Sequence, residues 1–315
     1  MITLWANTAS SFLTFLPLIL LSLLPVFSLL LLRWRQYVKA KKYAQMTNRP
    51  LGELWGNKGA LGEFQIFADI DEQLQGTKYW LFNVYVPRGN GTTTEIDVML
   101  FHDSGIYIFE SKNYSGWIFG REDDSTWTQC LRSTGRNSKK IKFFNPLKQN
   151  ETHIACFQTW AGKDLGNIPI HSIIIFGNRC ELKNLTLTSH RHYVLNRRTL
   201  PSLLQHIISI TPAVDTSALT HLYQRTLPLA HVDQTVKQQH IITLKSQRHT
   251  QTQNHSQNRR KFGNRQKLPP PTVVSSTNTL TCPQCGDILV KRTSRQGQAF
   301  LGCANYPQCR YTKSI

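Results

Sequence analysis

The feature that most constrains this chain is an uncharged run at its N-terminus. Residues 1–32 contain no charged side chain, and from Phe12 to Leu32 almost every residue is Leu, Phe, Ile, Val, Ser or Pro. About 20 consecutive apolar residues are what a helix needs to cross a bilayer. The sequence therefore predicts a short tail over residues 1–11 and a transmembrane helix over residues 12–32.

The flanks of this run indicate how the chain would be oriented. Residues 33–49 hold six basic and no acidic side chains, and such a basic juxtamembrane segment stays on the cytoplasmic side. A cleaved signal peptide is the alternative, but no positive charge precedes the run and no small-residue cleavage site follows it. We therefore expect a single-pass protein of the inner (cytoplasmic) membrane, with its N-terminus outside and most of the chain in the cytoplasm, in contact with the lipid bilayer.

The middle of the chain has an ordinary globular composition, although the whole chain carries a net charge of +19. Residues 50–233 hold 18 basic and 17 acidic side chains. Apolar residues make up 40% of the chain, which excludes a wholly disordered protein. Strand-like runs alternate with helix-like runs, for example at 79–86 and 146–160, so we expect an α/β (α+β) domain over residues 50–232.

Composition changes again after this domain. Residues 233–280 are rich in Gln, Asn, Ser, Thr and basic residues, and include three consecutive prolines. Such a composition is typical of a flexible, disordered basic linker. The chain has seven cysteines, an odd number that argues against a disulfide framework and for a reducing compartment.

Four of these cysteines form two close pairs in residues 281–315. Cys282 and Cys285 make the first pair, and Cys303 and Cys309 make the second. Two close pairs separated by a short loop supply four thiolates to one tetrahedral Zn²⁺. A module of this size cannot rely on its own hydrophobic core, so we expect the metal to stabilise it. Two disulfides are the alternative.

The cysteine module also mixes basic and aromatic residues, which suits contacts with a phosphate backbone and with stacked bases of single-stranded nucleic acid. The residues predicted to bind nucleic acid are Lys291, Arg292, Arg295, Phe300 and Tyr306. The string CPQCGDILVKRTSRQGQAFLGCANYPQCRYT closely resembles the four-cysteine zinc module of bacterial type IA topoisomerases. That resemblance implies a zinc-ribbon-like module that binds DNA, preferentially single-stranded, without topoisomerase activity.

A second cluster of chemically active residues lies on two apolar strands of the middle domain. Asp97 lies on the first strand, and Glu110 and Lys112 lie two residues apart on the next, so the latter two share a face. Two carboxylates can hold Mg²⁺ (or Mn²⁺) against a phosphodiester, and an ammonium group can stabilise the developing negative charge. A salt bridge on a solvated sheet face is the alternative.

The segments GALGEFQIF, TEIDVMLFHDSGIYIFESKNYSGWIFG and NPLKQNETHI together resemble the nuclease-related domain family, which is allied to the PD-(D/E)xK restriction-endonuclease-like fold. The resemblance covers about residues 52–165. It implies a mixed sheet flanked by helices, with Asp97 and Glu110 as metal ligands and Lys112 as the catalytic lysine. It also brings in Glu63 on the first helix and Gln149 on a later helix. An ordinary exposed helix position is the alternative for Gln149.

A basic run without acidic residues occupies residues 132–148, just before the Gln149 helix. Such runs are often merely solvated, but here the position near the expected site favours contacts with DNA phosphates. The residues concerned are Arg136, Lys139, Lys140 and Lys142.

The function that these features predict is metal-dependent hydrolysis of DNA phosphodiesters by a bacterial, membrane-anchored nuclease whose zinc finger binds DNA. Two alternatives stay open. One is a non-catalytic protein that tethers DNA at the membrane, and the other is a nuclease that acts on RNA.

Overall fold

A computed structural model of the chain describes residues 2–131, 138–243, 245–246, 281–294, 298–305 and 309–314, with side chains described from residue 21 onward. Arg136, Arg295 and Tyr306, which the sequence predicts to bind nucleic acid, lie outside the described residues. The chain divides into two compact units, residues 1–248 and residues 249–315.

Over its described residues, the first unit begins with three helices, continues with six strands and one helix, and then has three strands and two helices. Its helices are α1 (Ile2–Thr47), α2 (Leu51–Gly56), α3 (Lys58–Ile70), α4 (Pro146–Ala161), α5 (Leu200–Ile210) and α6 (Thr216–Ala230). Its strands are β1 (Lys78–Pro87), β2 (Thr93–His102), β3 (Gly105–Lys112), β4 (Gly116–Arg121), β5 (Thr126–Leu131), β6 (Lys139–Phe144), β7 (Ile170–Phe176), β8 (Cys180–Thr186) and β9 (His192–Asn196). Short 3₁₀ turns occupy Gly162–Leu165 and Arg197–Thr199.

The central sheet has five strands in the order β1-β2-β3-β7-β9. The first three strands form an antiparallel meander, whereas β7 and β9 run parallel to β3. This sheet is covered on both faces. Helices α1, α3 and α5 contribute to one apolar layer, and α4 and α6 contribute to the other. The predicted mixed sheet flanked by helices is therefore confirmed.

A second sheet of four strands, in the order β6-β5-β4-β8, carries its own apolar face. Ile118, Trp127 and Phe143 from its three consecutive strands pack with Phe176 of β7 and with Leu147 of α4. The chain enters this sheet directly after β3 and leaves β6 directly into α4. The second sheet is therefore tied to both elements that carry predicted site residues.

The N-terminal helix is longer than the sequence predicts, because α1 continues to Thr47 as one element of 46 residues. Among the described residues, no helix is long and apolar enough to cross a membrane, so the prediction of a transmembrane helix over residues 12–32 is not supported. Membrane attachment, orientation and location in the cell stay predictions.

The basic segment at 33–49 has a structural role in the first unit. Ala40 and Tyr43 are buried in the core beside α3, and Lys42 forms a salt bridge of 2.7 Å from Nζ to Oδ2 of Asp71. Lys39 donates to the Ala68 carbonyl at 2.7 Å. A segment that was predicted as a juxtamembrane flank is thus docked against the domain.

The start of the predicted linker is also structured, since residues 234–243 are helical. His240 in this helix is buried and packs edge-on against the ring of Tyr85, with centroids 5.5 Å apart. Its Nδ1 lies 3.1 Å from Oγ1 of Thr93. These residues therefore belong to the first unit, and residues 247–280 lie outside the described residues.

The second unit contains a small antiparallel sheet of β10 (Leu289–Thr293), β11 (Ala299–Cys303) and β12 (Thr312–Ser314). Its buried cluster comprises Cys282, Cys303 and Cys309, packed against Leu289 and Tyr311. So little apolar material confirms that this module has no conventional core of its own in the described residues, and it is expected to depend on a bound metal.

Candidate active site and metal centre

The candidate active site begins where the side-chain alternation of two neighbouring strands breaks. Side chains of a strand normally alternate between faces with a period of two. On β2, however, Val98 packs in the layer that contains α3, whereas Ile96 packs in the layer that contains α4. Asp97 lies between them and therefore marks the point where β2 changes face.

On the neighbouring strand β1, the alternation of side chains is interrupted at the same level. Phe82 pairs with Val98 and Val84 pairs with Ile96, so Asn83 lies across from Asp97. Asn83 has a φ of 50°, in the left-handed region that asparagine tolerates better than most residues. The two distortions together bring Asp97 within electrostatic reach of groups on both sides of the sheet, as its pKa shows.

Asp97 also replaces a backbone contact. The ladder of β2 and β3 ends at the pair Val98 and Phe109, and beyond it the Ser111 N–H donates to Oδ2 of Asp97 at 2.9 Å. Burial, followed by the charges of Glu110 and Glu63, raises the pKa of Asp97 well above its usual range. Ionised Asp97 is therefore disfavoured unless a cation balances the three carboxylates.

Glu110 is held in its charged form by two partners. Lys112 donates from Nζ to Oε1 of Glu110 at 2.5 Å, and His153 Nε2 lies 3.2 Å from Oε2. Burial alone would raise the pKa of Glu110, but the Lys112 ammonium and the His153 contact outweigh it and lower the pKa. Glu110 is thus a buried carboxylate at 1% exposure that stays available as an anionic ligand.

Lys112 bridges the end of β3 and helix α4. Its Nζ donates to Oε1 of Glu110 and, at 3.1 Å, to Oε1 of Gln149. Burial acts to lower the pKa of Lys112, whereas the charges of Glu110 and Asp97 raise it, and the net effect is a raised pKa. Lys112 is therefore a fixed ammonium ion at neutral pH, which suits electrostatic stabilisation rather than proton abstraction.

Glu63 approaches from α3, on the opposite side of the sheet from α4. Its Oε2 accepts from Tyr43 OH at 2.9 Å and from Asn83 Nδ2 at 3.1 Å. Burial raises its pKa, and the positive charge of Arg49 opposes that effect. Burial and the neighbouring Glu63 carboxylate also raise the pKa of Tyr43 above its usual range, so the phenol stays protonated as a donor.

Among the sequence-predicted residues, hydrogen bonds join Glu110, Lys112 and Gln149. Asp97 is bonded to Ser111 on the same strand as Glu110 and Lys112, and Glu63 is bonded to Asn83 of β1. Sequence reasoning missed the residues that hold them, above all His153. A signal for it exists, because a residue four positions after Gln149 lies on the same face of a helix.

The predicted zinc centre is present as a compact group of thiols. The sulfur atoms of Cys282, Cys285, Cys303 and Cys309 all lie within 4.8 Å of one another. The Sγ atoms are 3.7 Å apart for Cys282 and Cys309, and 3.3 Å apart for Cys285 and Cys303. Four sulfur donors at these separations fit a single tetrahedral Zn²⁺.

Backbone groups favour the anionic form of one of the four thiols, that of Cys282, whereas burial raises the pKa of Cys303. Burial alone would raise the pKa of Cys282, but the backbone N–H groups of Gln284 and Cys285 lower it to about 7. The tight turn between Cys285 and β10 uses Gly286 at a φ of 77°, where a side chain would be strained. Such turns present N–H groups to metal-bound thiolates.

The predicted nucleic-acid contacts of this module lie on its small sheet. Lys291 and Arg292 are exposed on β10, and Phe300 on β11 pairs with Arg292. Together with Tyr311, Arg292 and Phe300 line a cavity of about 260 Å³. In the first unit, Lys139, Lys140 and Lys142 are all exposed on β6, an edge strand of the second sheet.

Comparisons with known proteins agree with both sites. Residues 58–177 match the nuclease-related domain family, and residues 280–315 match the topoisomerase DNA-binding C4 zinc finger. An uncharacterized protein of Bacillus anthracis is 29% identical over 184 residues, which are 58% of this chain and 82% of that protein.

Matches to DNA topoisomerase 1 are confined to the cysteine module. The enzyme of Archaeoglobus fulgidus is 55% identical over 31 residues, 10% of this chain and 5% of that protein. The enzyme of Helicobacter pylori is 54% identical over 33 residues, 10% of this chain and 4% of that protein. No solved structure matches the chain. Residues 58–177, which include Glu63, Asp97, Glu110 and Lys112, are therefore similar to a nuclease-related domain, and residues 280–315 are similar to a topoisomerase-type four-cysteine zinc finger.

Proposed function

We propose that this protein hydrolyses phosphodiester bonds of DNA in a metal-dependent reaction and holds DNA with its zinc finger. The observation that carries the proposal is the convergence of Asp97, Glu110 and Glu63, with the ammonium group of Lys112 beside them. Buried like charges destabilise a fold unless they have a function or a counter-ion.

The residues present fit a hard divalent cation such as Mg²⁺ or Mn²⁺. Such ions prefer carboxylate oxygens, and the Asp97 carboxylate is held beside the Glu110 strand because its Oδ2 accepts from the Ser111 N–H at 2.9 Å. Burial, followed by repulsion from Glu110 and Glu63, raises the pKa of Asp97, and a bound cation would relieve the repulsion. Asp97 and Glu110 are the ligands that we assign, with Glu63 in support. When bound, the ion would neutralise phosphate charge and acidify a water molecule.

The chain's own groups supply orientation and charge. Lys112 keeps its proton and is positioned by Glu110 and Gln149, so it can stabilise negative charge that develops on the phosphate. His153 fixes the second oxygen of Glu110. Each group is held by a partner on another element, so the site is organised before substrate arrives.

The zinc finger supports the DNA-binding part of the proposal. The family that it matches is described as DNA-binding, and its exposed Lys291 and Arg292 lie next to Phe300. Charges beside an aromatic ring suit a single strand, whose backbone and bases are both accessible.

One observation favours the non-catalytic alternative, in which the domain binds DNA without cutting it. Among the described residues, the four cysteines are the one set of three or more His, Cys, Asp or Glu ligand atoms that lie within 4.8 Å of one another. The carboxylates of the first unit are therefore spread more widely than a closed metal site.

The test uses purified full-length protein with single-stranded and double-stranded DNA and RNA of the same sequence, with and without added Mg²⁺ or Mn²⁺. We expect cleavage of DNA in the presence of metal, weak cleavage and metal binding for Asp97→Asn, and about 100-fold slower cleavage with retained metal binding for Lys112→Ala. Asp123→Asn, an exposed acid elsewhere, is the matched control.

Two outcomes would decide against this proposal. If wild-type protein binds DNA but never cuts it with either metal, and Asp97→Asn behaves identically, the tethering function replaces it. If RNA is cut and DNA is not, the catalytic assignment stands and the substrate changes.

A further inference from the structure

We propose that the outer face of the second sheet binds single-stranded nucleic acid. The outer sheet face is defined by Trp117, Phe119, Lys140, Lys142 and Phe144. The proposal rests on the proposed function, because it names the form of substrate that the site would receive.

Side-chain alternation separates this face from the core. Ile118 on β4 and Trp127 on β5 are fully buried, and Phe143 on β6 packs against both Trp127 and Phe176. The residues next to them must point the other way, because strand side chains alternate. Trp117, Phe119, Lys140, Lys142 and Phe144 therefore share the opposite face.

The strand register arranges this face in rows that cross three strands. One row runs from Trp117 through Cys130 to Lys140. The next runs from Phe119 through Thr128 to Lys142, two residues further along each strand and about 7 Å away. In both rows, an aromatic ring on β4 faces a lysine on the edge strand. Thr126 and Phe144 form the next pair on this face, where the aromatic ring is on the edge strand β6 itself.

Three aromatic side chains on this face are exposed to solvent or partly so, although aromatic residues in strands usually pack in the core. Phe144 is 52% exposed, and Trp117 and Phe119 are each partly exposed. An isolated exposed aromatic needs no explanation, but here three share one face with two exposed lysines. Aromatic side chains on a basic sheet are the arrangement on which unpaired bases stack.

Charge complementarity favours a polyanion as the occupant. No acidic residue occurs between Ser125 and Asn150 in the sequence, which includes β5, β6 and the start of α4. On β8, Glu181 pairs with Trp117 on the same face, but its charge is balanced by Lys183 at 2.5 Å. An acidic protein would satisfy the lysines but would leave the aromatic rings without flat partners. The bases of a duplex are already stacked on one another, so a single strand fits this face better.

Chain connectivity links this face to the site. Strand β4 starts at Gly116, shortly after Lys112, and β6 ends at Phe144, shortly before Gln149. Lys112 and its partner Gln149 therefore lie close in sequence to the two ends of this three-strand segment.

The first experiment measures binding of labelled oligo(dT), and of a duplex of equal length, by full-length protein without added Mg²⁺. Phe144→Ala should raise the dissociation constant for the single strand about 5-fold or more, since each stacked base contributes on that scale. The duplex constant should hardly change. Trp55→Ala is the control, because Trp55 is an exposed aromatic on α2.

The second experiment maps contacts and charge. Ultraviolet cross-linking of oligo(dT), followed by mass spectrometry, should yield adducts on peptides that contain residues 117–119 or 140–144. Lys142→Ala should reduce the salt dependence of binding by about 0.7 in the logarithmic slope, and Lys163→Ala, an exposed lysine at another position, should not.

The proposal is overturned if every cross-link maps to residues 281–315 and if Phe144→Ala and Lys142→Ala bind as wild type. It is also overturned if Phe144→Ala weakens duplex and single strand equally. Both experiments measure binding and do not require cleavage. Their results can therefore be interpreted even if the protein proves not to be a nuclease.

Discussion

His153 links two strands of the central sheet through one imidazole ring. Its Nε2 lies 3.2 Å from Oε2 of Glu110 on β3, and its Nδ1 lies 2.8 Å from Oγ1 of Thr94 on β2. In a neutral ring, the Glu110 carboxylate, which can only accept, requires the proton on Nε2, and the Thr94 hydroxyl can then donate to Nδ1 and hold the ring in place. His153 is therefore a positioning residue for a candidate metal ligand.

We first predict that His153→Ala reduces both metal affinity and the rate of cleavage by about 10- to 100-fold, the usual effect of losing a group that orients a metal ligand. Metal titration and initial rates measure the two effects. Thr94→Val should move the same quantities in the same direction, whereas His206→Ala, on an exposed position of α5, should leave them unchanged. Wild-type metal affinity in His153→Ala would refute the role.

The second prediction concerns stability and pH. Because the fold raises the pKa of Asp97, its contribution to stability is complete below the unfolded pKa of about 3.9 and is lost as pH rises through the folded pKa. Asp97→Asn removes this loss. Without added divalent metal, its melting temperature should therefore exceed that of wild type at pH 7 by at least about 2 °C.

Thermal unfolding between pH 4 and pH 8 provides the measurement. The advantage of Asp97→Asn should shrink toward pH 4 and should also shrink when Mg²⁺ is added to both proteins, since the ion stabilises wild type more. Asp123→Asn should track wild type throughout. An advantage that is independent of pH would contradict the assigned cause.

The third prediction is that Gln149→Ala slows cleavage about 10-fold and leaves DNA affinity unchanged, because Gln149 holds Lys112 and is not expected to hold DNA itself. Single-turnover rates and binding constants separate the two quantities. Gln158→Ala, exposed further along α4, is the control. If Gln149→Ala cleaves at the wild-type rate, Gln149 is an ordinary exposed helix residue with no role in the reaction.

Fourth, we predict that the protein contains one zinc ion and that Cys303→Ser loses it, together with most of the single-strand affinity of the zinc finger. Elemental analysis of purified protein gives the zinc content, and titration with oligonucleotide gives the affinity. Cys156→Ser should keep the metal, because Cys156 lies on α4 outside the cluster. Retention of zinc by Cys303→Ser would contradict the four-cysteine site.

The parts of the site that follow local rules could be predicted from the sequence. Glu110 and Lys112 share a face because strand side chains alternate, and Asp97 reaches Glu110 because a short turn joins β2 to β3. Gln149 entered by resemblance, and the structure places it on Lys112. The four cysteines follow from spacing alone.

The groups that support the site could not be predicted, because they depend on long-range packing. Tyr43 meets Glu63 only since α1 docks on α3, and the sequence indicates a juxtamembrane segment there. Asn83 matters through a positive φ inside a strand, which composition does not reveal. In residues 139–144, the alternation of lysine with Ile141 and Phe143 was a strand signal that the charge of the run obscured.

The hydrogen bond from the Ser111 backbone to Asp97 means that the structural role of Asp97 and its chemical role can be lost separately in evolution. The same side chain completes the sheet and carries the charge, but an asparagine offers an equivalent acceptor oxygen without the charge. A single nucleotide change from an aspartate codon to an asparagine codon could therefore abolish the proposed hydrolysis while the domain keeps its fold and its proposed binding of DNA. The enzyme and the DNA tether are, on this view, one mutational step apart.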